Sequence, residues 1–164
     1  MKILAINPGM ISTKFGVFED DKMVLSKTIN HPYDELCKYP NIMDEFDYRK
    51  DTIVNELKEH GYEIKFDVIV GRGGLVKPIE SGVYELNDKV IEDTKHPRLH
   101  HACNLGSLIA LAMAKGIPGC RAFTVDPGVV DELDDVARIT GLPEKPHRTI
   151  WHALNQREIA KRYC

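Results

Sequence analysis

The sequence predicts an α/β chain built on a mixed sheet flanked by helices. Three observations carry that prediction. Residues 1–30 hold three strand-like runs joined by short turns. From residue 42 onward, helical and strand-like patterns alternate. The chain has 164 residues, 43% of them hydrophobic, and a chain of this size buries roughly 70% of its unfolded surface without disulfide or metal staples.

The elements follow in order. Lys2 to Asn7 is a short apolar run stopped by Pro8 and Gly9. Thr13 to Glu19 is a second run with Phe15 and Val17 on one face, and a turn at Asp20, Asp21 and Lys22 leads into a third, Met23 to Asn30. Strands joined by so short a turn are antiparallel neighbours. Ile42 to His60 reads as a helix: Ile42, Phe46, Ile53 and Leu57 share a face that Arg49 interrupts, and Gly61 stands where a terminator belongs. Asp67 to Val70 is a strand running into Gly71-Arg72-Gly73-Gly74. Asn104 to Lys115 is a helix with apolar residues on more than one face, which marks it as buried. Ala122 to Val125 is a further strand, stopped by Asp126, Pro127 and Gly128, and a last helix begins near His152.

Composition narrows the function classes. With 22 basic and 25 acidic residues the net charge is -3, a balance that points to neither nucleic acid nor membrane as a partner. No stretch approaches about 18 uninterrupted apolar residues, and the amino end has no signal-peptide layout, so a cytoplasmic location is expected. Cys37, Cys103, Cys120 and Cys164 form no CxxC pair and are expected to be reduced, mostly buried thiols. The cluster His100, His101, Ala102, Cys103 is too tight for a tetrahedral zinc site without distant partners.

Five groups of polar residues stand at strand or helix ends, where open α/β sheets place their ligands. The first is the turn Asn7-Pro8-Gly9-Met10-Ile11-Ser12-Thr13-Lys14, in which Gly9 admits a close backbone approach and Asn7, Ser12, Thr13 and Lys14 can hydrogen-bond phosphate oxygens. It lacks Walker A spacing. The second is Arg72 between glycines, a planar fork suited to a carboxylate or phosphate. The others are His101 with Asn104, Asp126 before Pro127, and His152 at the start of the last helix. Each alone is equally the mark of an ordinary turn, a solvated arginine or a structural histidine. Together they supply phosphate donors, one carboxylate for a cation and no evident nucleophile, which is the inventory for direct phosphoryl transfer.

The stretches ILAINPG..STK, VGRGGLVKPIESGVYELN, HACNLG, FTVDP.VVDEL, ARITGLP and HALNQREIAKRY run in order from Ile3 to Tyr163. In these the chain resembles the amino-terminal half of butyrate kinases, in the acetate kinase branch of the actin-like, sugar-kinase and Hsp70 superfamily. The resemblance implies a ribonuclease-H-like (actin-like ATPase) domain. It also implies reversible phosphoryl transfer between ATP and a short-chain fatty acid, with Mg2+, giving an acyl phosphate and ADP. By the same resemblance Asn7 is the phosphate- and metal-site asparagine, and Arg72 binds the carboxylate and the transferring phosphoryl group. His101 and Asn104 line the site, Asp126 is the metal-associated carboxylate, and His152 hydrogen-bonds the phosphoryl group in the transition state. The catalytic set is thus Arg72, His152 and Asp126, with Asn7 and Asp126 at the metal.

The chain departs from the family pattern in one loop: Met10 and Ile11 stand where the family usually carries Ser and Thr. Backbone N–H groups, Ser12, Thr13 and Lys14 are left to meet the phosphate. Residues 1–164 correspond to the amino-terminal domain, and the family's second, adenosine-binding domain has no counterpart in them, so the expected cleft has one wall and the chain by itself little kinase activity. Two alternatives accompany this reading. One is a non-catalytic domain that self-associates through the cleft side and the last helix, where Ala153, Ile159, Ala160 and Tyr163 share a broad face. The other is a kinase for a different short carboxylate, acetate or propionate.

Overall fold

The computed structural model describes every residue except Arg98. Strands β1 (Lys2–Pro8), β2 (Ser12–Glu19) and β3 (Lys22–Asn30) form an antiparallel meander. Asp20, at a φ of 53°, makes the tight β2–β3 turn, and a register shift between Val17 and Phe18 bends β2. A four-residue helix, α1 (Tyr33–Leu36), and a 3-10 turn at Ile42–Glu45 lead into α2 (Phe46–Glu59). Then come β4 (Val68–Arg72), β5 (Val83–Glu85), α3 (Asp88–Lys95), α4 (Leu105–Lys115), β6 (Arg121–Val125) and α5 (Ala153–Tyr163).

The sheet order is β3-β2-β1-β4-β6-β5. β4 pairs parallel with both β1 and β6, while β5 lies antiparallel on the edge. A three-stranded meander continued by parallel strands is the mixed, ribonuclease-H-like arrangement expected. One layer of helices covers one face. Leu4, Ile6, Phe15, Val17 and Ile69 point from the sheet into a core completed by Ile53 and Leu57 of α2 and by Leu105, Ile109 and Met113 of α4. Full burial of each such side chain stabilises the fold by about 1.5–3 kcal/mol. The face of α2 that meets the core also carries Arg49, which is fully buried. It does not break the stripe: Arg49, Ile53 and Leu57 lie four residues apart, on one line of the helix.

Two glycines set the distance between α4 and the sheet. A Cβ on Gly71 would lie 2.2 Å from the Gly106 carbonyl oxygen, and one on Gly106 would lie 2.4 Å from that of Arg72. Backbone therefore packs on backbone where β4 ends and α4 begins. Gly61, at a φ of 75°, ends α2 as expected.

The sequence reading is extended in three places. The helix expected from Ile42 starts as a 3-10 turn and becomes α-helical at Phe46. β4 runs on to include Arg72. β5 and α3, which had no expected counterpart, occupy the stretch after the glycines, with Asn87 capping α3 by accepting the Val90 N–H at 3.1 Å. The cysteines need a correction: Cys103 is buried and Cys120 partly so, but Cys37 and Cys164 are exposed. Among the described residues no helix is long and apolar enough to cross a membrane.

Candidate active site at the strand ends

Parallel pairing brings the carboxyl ends of β1, β4 and β6 side by side, with Ile6 opposite Gly71 and Arg72 opposite Val125. Asn7, Arg72 and Asp126 therefore meet on the sheet face that α2 and α4 leave uncovered. That face and the start of α5 enclose a cleft of about 500 Å³, lined among others by Asn7, Lys14, Arg72, Asp126, Asn155 and Glu158.

Asp126 is the hub. It sits just past β6 at a φ of 46°, in the left-handed region that few residues other than glycine adopt. Its Oδ1 accepts the Leu154 N–H at 2.9 Å, so this distant carboxylate caps the first turn of α5. Its Oδ2 accepts from an Arg72 terminal nitrogen at 3.3 Å. The rest of the Arg72 fork has no partner among the described residues and is about a quarter exposed, with the side chain at 24%.

His152 immediately precedes α5. Its Nδ1–H donates to the Asp126 carbonyl at 2.7 Å, which assigns the tautomer and leaves Nε2 as the free nitrogen. Burial pushes the imidazole below its ordinary range; the bond to Asp126 opposes this, and the nearby Arg72 charge adds to it. At neutral pH the ring is uncharged, and Nε2 presents a lone pair rather than a proton. His101 is half-buried, accepts the Cys103 N–H through Nδ1 at 3.2 Å, and lies near enough to His152 to lower it slightly further.

Two of the expected ligand-binding residues point elsewhere. Thr13 is fully buried on the helix side of β2, with its Oγ1 2.8 Å from His31 Nε2 and 3.1 Å from an Arg49 nitrogen. Its parity with Phe15 and Val17 turns it from the cleft, whereas Lys14, one residue on, faces it. Asn104 is also fully buried. Its Oδ1 accepts the Leu75 N–H at 2.7 Å and its Nδ2 donates to the Leu99 carbonyl at 2.8 Å. Asn104 braces the loop after Arg72; it does not line the site. Gly74 permits this, since a Cβ there would lie 2.2 Å from Asn104 Oδ1.

Asn7, Lys14, Arg72 and Asp126 thus line one cleft with His152 held against Asp126, whereas Ser12, half-buried at the start of β2, is not among the lining residues. Asn155 and Glu158 on α5 also line the cleft, unmarked in sequence except by their place in the HALNQ stretch. No cluster of three or more His, Cys, Asp or Glu exists among the described residues. Asn7 and Asp126, which both line the cleft, are the residues that could hold a hydrated divalent ion in the manner usual for magnesium.

No protein-family model matches the chain. Curated relatives do. A probable butyrate kinase of Bacteroides thetaiotaomicron is 53% identical over 164 residues, covering 100% of this chain and 46% of that protein. Butyrate kinase 2 of Clostridium acetobutylicum is 49% identical over 165 residues, covering 99% of this chain and 46% of that protein.

The chain is homologous to butyrate kinases over its whole length. It spans about half the length of the curated relatives it matches. Among solved structures, the acetate kinase of Porphyromonas gingivalis matches with a TM-score of 0.64 at 16% identity, over 99% of this chain and 48% of that one. The acetate kinase of Entamoeba histolytica matches with 0.53 at 16% identity, over 88% and 39%. These likenesses show the fold: the butyrate kinase-like chain has the architecture of the matching half of those acetate kinases.

Proposed function

We propose that this chain supplies one wall of a carboxylate kinase site, where a phosphoryl group passes reversibly between ATP and butyrate or a branched short-chain acid. The adenosine-binding part of the site then lies in a domain outside residues 1–164. The observation that carries the reading is the Arg72 guanidinium, held on one side by Asp126 and otherwise free in the cleft beside His152. A guanidinium fork there can bind the acid's carboxylate and then the equatorial oxygens of the transferring group. In the forward direction a carboxylate oxygen bonds to the γ-phosphorus as the bond to the β-phosphate oxygen breaks, giving acyl phosphate and ADP. No protein nucleophile is required.

The remaining side chains orient and neutralise. Lys14 and Ser12 meet phosphate oxygens, and His101 and His152 flank the transferring group. Because Nδ1–H of His152 is committed to the Asp126 carbonyl, the ring donates to a phosphoryl oxygen only when Nε2 takes up a proton. A magnesium ion held by Asn7 and Asp126 through water would offset phosphate charge.

The test is a chimaera in which this chain replaces the corresponding segment of the Bacteroides thetaiotaomicron relative. With ATP, magnesium, butyrate and hydroxylamine it is expected to form acyl hydroxamate, and Arg72→Ala to lower the rate by about 100-fold or more. A folded chimaera that forms none refutes the proposal. Acetate, propionate and isobutyrate in the same assay rank the acids. A second reading, self-association, is favoured by Ile159 and Tyr163 of α5, which are 50% and 89% exposed. Monomeric behaviour at high concentration in light scattering would dismiss it.

A further inference from the structure

The β1–β2 turn carries Met10 and Ile11, without hydroxyls to offer an anion, yet every carbonyl in it is spoken for. Arg49 lies directly beneath, fully buried. One of its terminal nitrogens donates to the Gly9 carbonyl at 2.8 Å, to Thr13 Oγ1 at 3.1 Å and, more weakly, to the Ser12 carbonyl at 3.4 Å. The other donates to the Met10 carbonyl at 2.9 Å. Its Nε bonds Glu45 at 2.6 Å, which balances the charge and fixes the plane of the fork. The Ile11 carbonyl accepts from the His31 N–H at 2.9 Å, and the Gly9 N–H closes the turn onto the Ser12 carbonyl at 2.7 Å. The N–H groups of Met10 and Ile11 have no partner among the described residues. A turn whose carbonyls are all drawn inward leaves its free amides as its outward polar groups, the condition for a backbone anion nest.

We propose that Arg49 is a positioning residue for phosphoryl binding: it pins the turn from below so that the Met10 and Ile11 amides receive phosphate oxygens in place of side-chain hydroxyls. This rests on the reading of that turn as phosphate-facing. A lysine cannot reproduce the arrangement, because one ammonium cannot reach Glu45 and the separate carbonyls in a single plane.

Amide NMR of the 164-residue chain titrated with inorganic phosphate tests it. In the wild type the Met10 and Ile11 amides and the Arg72 side chain are expected to shift together. In Arg49→Lys, which keeps the charge beside Glu45, the Met10 and Ile11 shifts should vanish or need about tenfold more phosphate, while those of Arg72 persist. General loosening of the fold would weaken both sets alike, and that outcome overturns the proposal, as do unchanged Met10 and Ile11 shifts in the variant. If phosphate moves neither amide in the wild type, the phosphate-facing reading itself fails. Should Arg49→Lys not fold, the paired variant Glu45→Gln with Arg49→Met removes both buried charges together and is read by the same criteria. In the wild type, independently of any variant, the Arg49 Nε–H must shift with the two amides; its silence while they move overturns the clamp.

Discussion

Asp126 and Arg72 meet at 3.3 Å across the ends of two neighbouring parallel strands, and the same carboxylate holds the first turn of α5 at 2.9 Å. One side chain therefore serves a helix start and an anion-binding guanidinium at once. Replacing it by Asn keeps an acceptor for the Leu154 N–H and a side chain that tolerates a left-handed backbone. Replacing it by Ala removes the cap and leaves a Cβ at a φ of 46° with no local compensation. Urea denaturation is expected to show Asp126→Ala less stable by about 1–2 kcal/mol and Asp126→Asn by a few tenths. Equal losses would show that the cap is not what Asp126 contributes to stability.

His152 should titrate below the ordinary imidazole range, because burial disfavours its charged form. An anion beside Nε2 favours that charged form, so phosphate must raise the value, and by linkage protonation must tighten phosphate binding. Affinity is expected to rise as pH falls through the His152 titration. A 13C-resolved histidine titration with and without inorganic phosphate gives both quantities, and His152→Asn should flatten the dependence.

His31 is buried between Thr13 and Tyr48, with its Nε2 2.8 Å from Thr13 Oγ1 and its Nδ1 3.2 Å from the Tyr48 hydroxyl. Burial, then the Arg49 charge, lowers the imidazole to about 4. The unfolded chain binds this proton near pH 6.5 and the folded chain only near 4, so protonation favours unfolding. Stability contributed by His31 is intact above about pH 6.5 and declines to a plateau below about pH 4. Denaturation midpoints across that window should show this decline in the wild type and a shallower one in His31→Gln.

Cys103 is buried and its thiol is pushed up to about 11, chiefly by burial. Thiolate is the reactive form, so this group stays inert at neutral pH. With a disulfide reagent at pH 8, the exposed Cys37 and Cys164 should react fast, Cys120 more slowly, and Cys103 only on unfolding. Rapid loss of all four thiols from the native chain would contradict the packing around α4.

Much of this was legible in the sequence, because the strands that build the site are short apolar runs punctuated by Pro8, by Gly71 and by Asp126 with Pro127. A residue at the end of such a run lies at the end of a strand, and parallel pairing does the rest. β5 and α3 were hidden because three residues on an edge and eight on a surface carry too few periods to read. Thr13 had a usable signal, since its parity matches that of Phe15 and Val17. Arg49 had one too: it stands four residues from Glu45 and four from Ile53, so its place on the apolar stripe pointed to a buried pair. Asn104 had none, as the Leu75 and Leu99 backbone groups it joins come near only in the folded chain.

The contact between Gly71 and Gly106 also bears on how firmly the arginine is aimed. Most strand–helix junctions are cushioned by side chains that can change rotamer and yield. Here the Arg72 carbonyl rests on bare helix backbone, and a methyl group on Gly106 would lie 2.4 Å from it. When an anion pulls on the guanidinium, the recoil passes into the peptide framework of α4, whose own hydrogen bonds resist it. Neither glycine can accept a larger residue unless the helix retreats and takes that backstop with it.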